Sequence, residues 1–288
     1  GFRPLMLGEG NGIYVVSSES RAVQNMGISR TRDVRPGELV LITNKGIETK
    51  KQLKSPRRAH CAFEWAYTAS IDSKIDGLYV QEARSNLGKS LAERDIQEGG
   101  IHADLVAPVP MSGIGHALGY HMRSSLPYQE VFLYNRYADR SYTQLTQEDR
   151  DRMAKKKLSI LRYALREKII VLCDDSIVRG TQIREKVRDL KNAGTKEVHV
   201  RIACPPLMYP CDFGISTRTY GELLAREYFP EGDITTDEEL RGLEAWVSEK
   251  IGADSVKYNS LENFVAALKI SKDSLCLKCW DGKWPATV

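Results

Sequence analysis

Asp174 and Asp175 end an apolar run, Ile169-Ile170-Val171-Leu172-Cys173, and are followed by Ser176-Ile177-Val178-Arg179-Gly180-Thr181. This order predicts a buried strand, two adjacent carboxylates, a short Ser/Gly/Thr loop and an amphipathic helix over about residues 182–192. Such a helix start presents backbone N–H groups and the positive end of the helix dipole, which together hold a phosphate monoester without a dedicated cation. Gly180 lets the backbone approach a ligand closely, and Ser176 and Thr181 add hydroxyl donors. Asp174 and Asp175 repel phosphate, so they must face something else. The vicinal hydroxyls of a ribose fit, as does a hard divalent cation holding a second phosphate. A strand ending in a turn accounts for one Asp and the Ser. It does not account for paired carboxylates beside Arg-Gly-Thr, and the stretch reads as a sugar-phosphate site.

Further groups extend this chemistry. Pro108-Val109-Pro110-Met111-Ser112-Gly113 also follows a strand-like run (105–109) and precedes a helix reaching about residue 123, so it suits pyrophosphate oxygens or their metal. Residues 135–157 have no apolar period and carry Arg136, Tyr137, Arg140, Arg150 and Lys157. Displacing a polyanion from a sugar carbon calls for cations that close over the leaving group and exclude water. A loop of this composition can supply them; a surface insert is the plain alternative. Cys276 and Cys279 form a CxxC, a spacing common to zinc, redox and cluster sites. Cys173 and Cys204 read as buried small hydrophobes. His60, His102, His116, His121 and His199 fall in no ligand or triad spacing.

The elements that must position these residues fall into two patterns. Residues 1 to about 60 read as β, with short apolar or β-branched runs at 12–17, 38–43 and 47–51 between Gly, Asn and Pro turns. The basic stretch 50–58 reads as a connector. From Cys61 the pattern becomes α/β: helix over 77–92, strands at 105–109, 131–133, 169–173 and 197–202, then a helical tail with its clearest pieces at 237–250 and 261–268. Alternation of this kind implies a mostly parallel, doubly wound sheet with its site at the strands' C-terminal ends. A net charge of +4 on 288 residues argues for neither nucleic acid nor membrane as a partner. No apolar run approaches a transmembrane span. Six cysteines without secretory features suit a reducing cytoplasm.

"VLCDDSIVRGTQ" resembles the phosphoribosyl pyrophosphate (PRPP) loop of type I phosphoribosyltransferases, and in its "DDSIVRGT" form it is most similar to the amidophosphoribosyltransferase family. The other segments agree. The 108–113 loop stands where the family usually reads "VPDSG"; Ser112 and Gly113 match and Met111 replaces the acidic residue. Residues 135–150 resemble the family's "NRYVGRTFI…TQELR" catalytic loop. Lys157 matches within "VRLKLNP", where Ser159 and Ile160 depart from Asn-Pro. Cys61 in "CAFEWAY", Cys211 in "PPLMYPCDFG" and the terminal CxxC occupy the positions of the family's [4Fe–4S] ligands. A structural zinc site is the rival use of four thiolates.

The resemblance implies a type I phosphoribosyltransferase fold over 60–288 and, over 1–59, the β-rich end of a glutaminase domain of the N-terminal-nucleophile type. It implies that PRPP and ammonia give 5-phosphoribosylamine and pyrophosphate, the first committed step of purine synthesis. Asp174 and Asp175 would hold the ribose hydroxyls and the metal-bound substrate, and Ser176, Ile177, Val178, Arg179, Gly180 and Thr181 would cradle the 5′-phosphate. Ser112 and Gly113 would join the Mg²⁺–pyrophosphate site, with Mg²⁺ held by Ser112, Asp174 and Asp175. Arg136, Tyr137, Arg140 and Lys157 would belong to the closing loop. Gly1 offers no nucleophile, so glutaminase activity is not expected from this chain alone, and a partner chain or further segment is expected to complete that domain. A tetramer and purine-nucleotide feedback inhibitors are also implied. A non-catalytic PRPP or nucleotide sensor, and a transferase with another acceptor, are the competing readings.

Overall fold

The computed structural model describes residues 2–55, 57–134 and 158–284, and the chain divides into two compact units. Unit 1 gathers residues 1–87, 204–233 and 259–288, and unit 2 gathers 88–203 and 234–258.

Unit 2 is built on four parallel strands: β1 (Leu105–Pro108), β2 (Ile169–Asp174), β3 (Glu197–Ile202) and β4 (Ser255–Tyr258), in the order β4-β3-β2-β1. Their continuous apolar character follows from burial on both faces: Ile170, Val171, Leu172, Val198 and Val200 are all fully buried. On the far side of β1, Val106 bridges in parallel to Tyr128. From β1 the chain therefore runs one way through a helix (Ile114–Ser124) to the 127–129 segment, while β2, β3 and β4 step the other way. That reversal between β1 and β2 makes the sheet doubly wound, as expected, and leaves a crevice outside the carboxyl ends of those two strands.

Helix α1 (Val80–Gln97) contributes its part from Gly88 onward to unit 2; α2 (Ile114–Ser124), α3 (Thr181–Asn192) and α4 (Asp237–Ile251) are its other helices. Ile183, Val187 and Leu190 form the buried stripe of α3, spaced at helical intervals. Helix α4 starts with a capping box between Thr236 and Glu239 and ends at Gly252 in the left-handed region. The expected helical tail needs correction. Between its helices lies β4, the fourth strand of the sheet, whose four residues bury only Val256 and Tyr258 and carry too short a pattern to announce a strand.

Unit 1 holds the antiparallel strands expected near the start, observed at Ile13–Ser17, Glu38–Thr43 and Gly46–Gln52, and two that were not expected, Met6–Gly10 and Arg30–Asp33. It also holds two short parallel strands, His60–Cys61 and Leu275–Cys276, the π-helical turn Glu64–Thr68, and the helix Leu261–Leu268.

Candidate functional site

Both loops singled out in the sequence reach the crevice of unit 2. The first leaves β1 at Pro108 and enters α2 at Gly113; the second leaves β2 at Asp174 and enters α3 at Gly180. A backbone hydrogen bond joins them, Val109 N donating to Cys173 O at 2.8 Å, and Gly113 N donating to Val109 O at 2.9 Å closes the first loop on itself. Gly113 is demanded by this packing, since a Cβ there would overlap the Cys173 carbonyl oxygen. Gly180 is demanded by conformation, with φ 75° at the start of α3.

Among the described residues no side chain caps either helix, and neither first turn contains an acidic residue. Two sets of backbone N–H donors thus point at the crevice with nothing nearby on their own helices to repel an anion.

Asp174 and Asp175 lie at the floor, 8% and 5% exposed. The Ser112 hydroxyl donates to Asp174 Oδ1 at 2.7 Å, and the Asp175 backbone N–H donates to the same oxygen at 2.9 Å. Ser176 donates its hydroxyl to Asp175 Oδ2 at 2.6 Å. Burial pushes both carboxyls above the usual range, and for Asp174 the neighbouring Asp175 charge adds to the shift. Two adjacent carboxyls held this way favour a partner that supplies positive charge or hydroxyl donors. Their oxygen donor set fits a hard cation such as Mg²⁺ as well as a ribose diol.

Ile177 is buried, Val178 and Ser176 are partly exposed, and Arg179 and Thr181 face outward. Met111 is 75% exposed on the turn before Ser112. The structure therefore brings Ser112, Gly113 and residues 174–181 to one crevice. Arg136, Tyr137, Arg140 and Lys157 lie outside the described residues.

A group missed in the sequence sits beneath the sheet. Arg201 of β3, 1% exposed, donates through Nε and Nη2 to Asp95 of α1 at 2.6 and 2.9 Å, while Tyr120 of α2 donates its hydroxyl to Asp95 at 2.6 Å. Lys257 of β4 completes the group, 2.8 Å from Asp95 and 2.6 Å from Glu98. Burial opposes the Asp95 charge, but Arg201 and the hydrogen bonds outweigh it and hold the carboxyl below its usual range. The network ties α1 and α2, and through α2 the Ser112 turn, to the sheet. Spacing gives no hint of it because Asp95, Tyr120, Arg201 and Lys257 come from four separate elements.

In unit 1 the four cysteines assigned together gather. Cys276 stands opposite Cys61 in the two-stranded pairing, and Cys279 lies in the next turn. Cys211 is hydrogen-bonded to Cys279, which lowers the Cys211 thiol to about 5 and raises that of Cys279. Burial raises Cys61 to about 12 and also raises Cys276; Cys61, Cys211 and Cys276 all act electrostatically on Cys279. The donor set suits a thiophilic centre, although among the described residues no group of three or more His, Cys, Asp or Glu side chains is already disposed around a single metal ion. Cys173 and Cys204 are fully buried elsewhere, and none of the six cysteines is in a disulfide. Among the described residues, no helix is long and apolar enough to cross a membrane.

No family model matches the chain. Curated relatives do. The amidophosphoribosyltransferase of Archaeoglobus fulgidus is 41% identical over 290 residues, covering 100% of this chain and 60% of that protein. The Bacillus subtilis amidophosphoribosyltransferase is 37% identical over 292 residues, covering 100% of this chain and 58% of that protein. A solved structure of glutamine PRPP amidotransferase from B. subtilis, complexed with ADP and GMP, superposes with a TM-score of 0.82 at 37% identity, over 99% of this chain and 60% of that one. The chain thus spans about 60% of the length of these relatives. Sequence and fold agree along its whole length: the chain is similar throughout to a part of the amidophosphoribosyltransferases.

Proposed function

We propose that unit 2 binds PRPP in the β1/β2 crevice and transfers its ribosyl C1 to ammonia, releasing pyrophosphate and forming 5-phosphoribosylamine. The observation that carries this reading is the Ser112–Asp174 hydrogen bond, which joins two phosphate-type loops at the switch point of a doubly wound sheet. In this reading the start of α3 and residues 176–181 hold the 5′-phosphate, while Asp174 and Asp175 accept from the ribose hydroxyls. Ser112 and the Gly113 end of α2 hold the pyrophosphate together with its Mg²⁺. Mg²⁺, when bound by Ser112, Asp174 and Asp175, neutralises charge on the leaving group. Arg136, Tyr137, Arg140 and Lys157 close over it and keep water from C1. Holding ammonia and C1 together in a dry site supplies the entropic part of the rate.

Cys61, Cys211, Cys276 and Cys279 hold a [4Fe–4S] cluster; iron and sulfide analysis tests this, and one zinc per chain without sulfide favours the structural-zinc alternative. Residues 1–59 form the end of a glutaminase domain, residues 60–288 the transferase, and the rest of the glutaminase supplies ammonia from glutamine. The exposed Val16, Leu39 and Leu53 of this region suit a covering partner. A cytoplasmic setting, a homo-oligomer and purine-nucleotide inhibition complete the reading. Pyrophosphate release from PRPP, Mg²⁺ and ammonium chloride, abolished by Asp174→Asn, tests the transferase assignment. Binding of PRPP without pyrophosphate release makes the chain a sensor instead.

A further inference from the structure

The segments that bring Cys61 and Cys211 are joined by side chains with no part in the proposed PRPP site. Phe2 accepts a hydrogen bond through its carbonyl oxygen from the Cys61 backbone N–H at 2.9 Å, and its ring stacks on Phe213 with centroids 4.2 Å apart. Phe213, two residues beyond Cys211, also donates its backbone N–H to Cys211 Sγ at 3.3 Å and meets Trp284 edge-on at 5.4 Å. Trp284 carries the Lys278 ammonium 5.1 Å above its ring, and Lys278, inside the CxxC, is ion-paired with Asp212. Arg3 pairs with Glu64 of the turn after Cys61 and lies against Gly214. Each segment that brings a cysteine is thus tied to the next by an aromatic or ionic contact. Trp284 is 61% exposed, whereas Cys61, Cys276 and Cys279 are buried. Rings with one wet face, held by contacts rather than embedded in a core, form a closure that can open without unfolding the unit.

We propose that Phe2, Arg3, Phe213 and Trp284 form a cover that controls solvent access to a thiolate-held metal centre and so sets how fast its metal is lost. The inference rests on the quartet holding a metal, whether in a cluster or as zinc. The test uses the whole chain, purified without oxygen, with metal content measured and release followed by a water-soluble chromophoric chelator. Phe2→Ala and Trp284→Ala are expected to start with the wild-type metal content and to release it roughly two- to tenfold faster, the range that one aromatic pair supports. Trp284→Phe is expected to restore slow release, and unchanged thermal melts of the Ala variants exclude general unfolding. Metal present but released at the wild-type rate overturns the cover alone. A chain purified without any bound metal overturns the centre and the cover together.

Discussion

The carboxyl pair Asp174–Asp175 is placed where it is least comfortable without a ligand. Burial raises both acids, so their ionisation opposes folding. The sign follows from linkage: the favourable protonated state is fully present below the unfolded value of about 4 and is lost as pH rises through the raised folded values. Asp174→Asn keeps an acceptor for Ser112 and for the Asp175 N–H, yet removes one of the two charges. We expect it to raise the melting temperature of the ligand-free chain at pH 7–8, with the gain shrinking toward about pH 4, and to abolish PRPP binding in calorimetry. A melting temperature lowered at neutral pH would show that the pair stabilises the fold. Ser112→Ala leaves Asp174 short of one donor in a buried site. It should weaken PRPP binding by about 1–3 kcal/mol, which titration with and without Mg²⁺ measures.

Elements, more than individual side chains, explain why the loops meet. Gly180 at φ 75° turns the chain from β2 into α3, and Gly180→Ala should cost about 1–2 kcal/mol of stability in chemical denaturation. The Asp95–Arg201 pair anchors α1 to β3, and Arg201→Met leaves Asp95 with Lys257 and Tyr120 only. A loss of about 3 kcal/mol is expected, the low end for breaking a buried pair because Lys257 remains. Much of this scale was legible in the sequence. β2 and α3 declared themselves because a doubly buried strand is continuously apolar and Ile183, Val187 and Leu190 repeat at helical spacing. β4 did not, because Ser255 to Tyr258 alternates over too few residues between two helices that carry stronger signals. The network under the sheet did not either. Asp95 and Arg201 each look like a surface charge until the fold places them 2.6 Å apart. The same limit applied to the cysteines: the CxxC is a local pattern, whereas Cys61 approaches it through a strand pairing across more than 200 residues and Cys211 through its contact with Cys279.

For the molecule as a whole, two compact units carry two groups of side chains, the Ser112–Asp174–Asp175 cluster in unit 2 and a thiol quartet in unit 1. The likeness to the amidophosphoribosyltransferases runs along the entire chain, which spans about 60% of their length. The central claim is formation of a bond between nitrogen and the ribosyl C1, and NMR of the reaction tests it most directly. Chain, Mg²⁺, ¹³C1-labelled PRPP and ¹⁵N-ammonium should yield a C1 resonance split by ¹⁵N, appearing together with pyrophosphate and absent with Asp174→Asn. Conversion to ribose 5-phosphate alone, or PRPP bound and unchanged over the same period, would contradict the account.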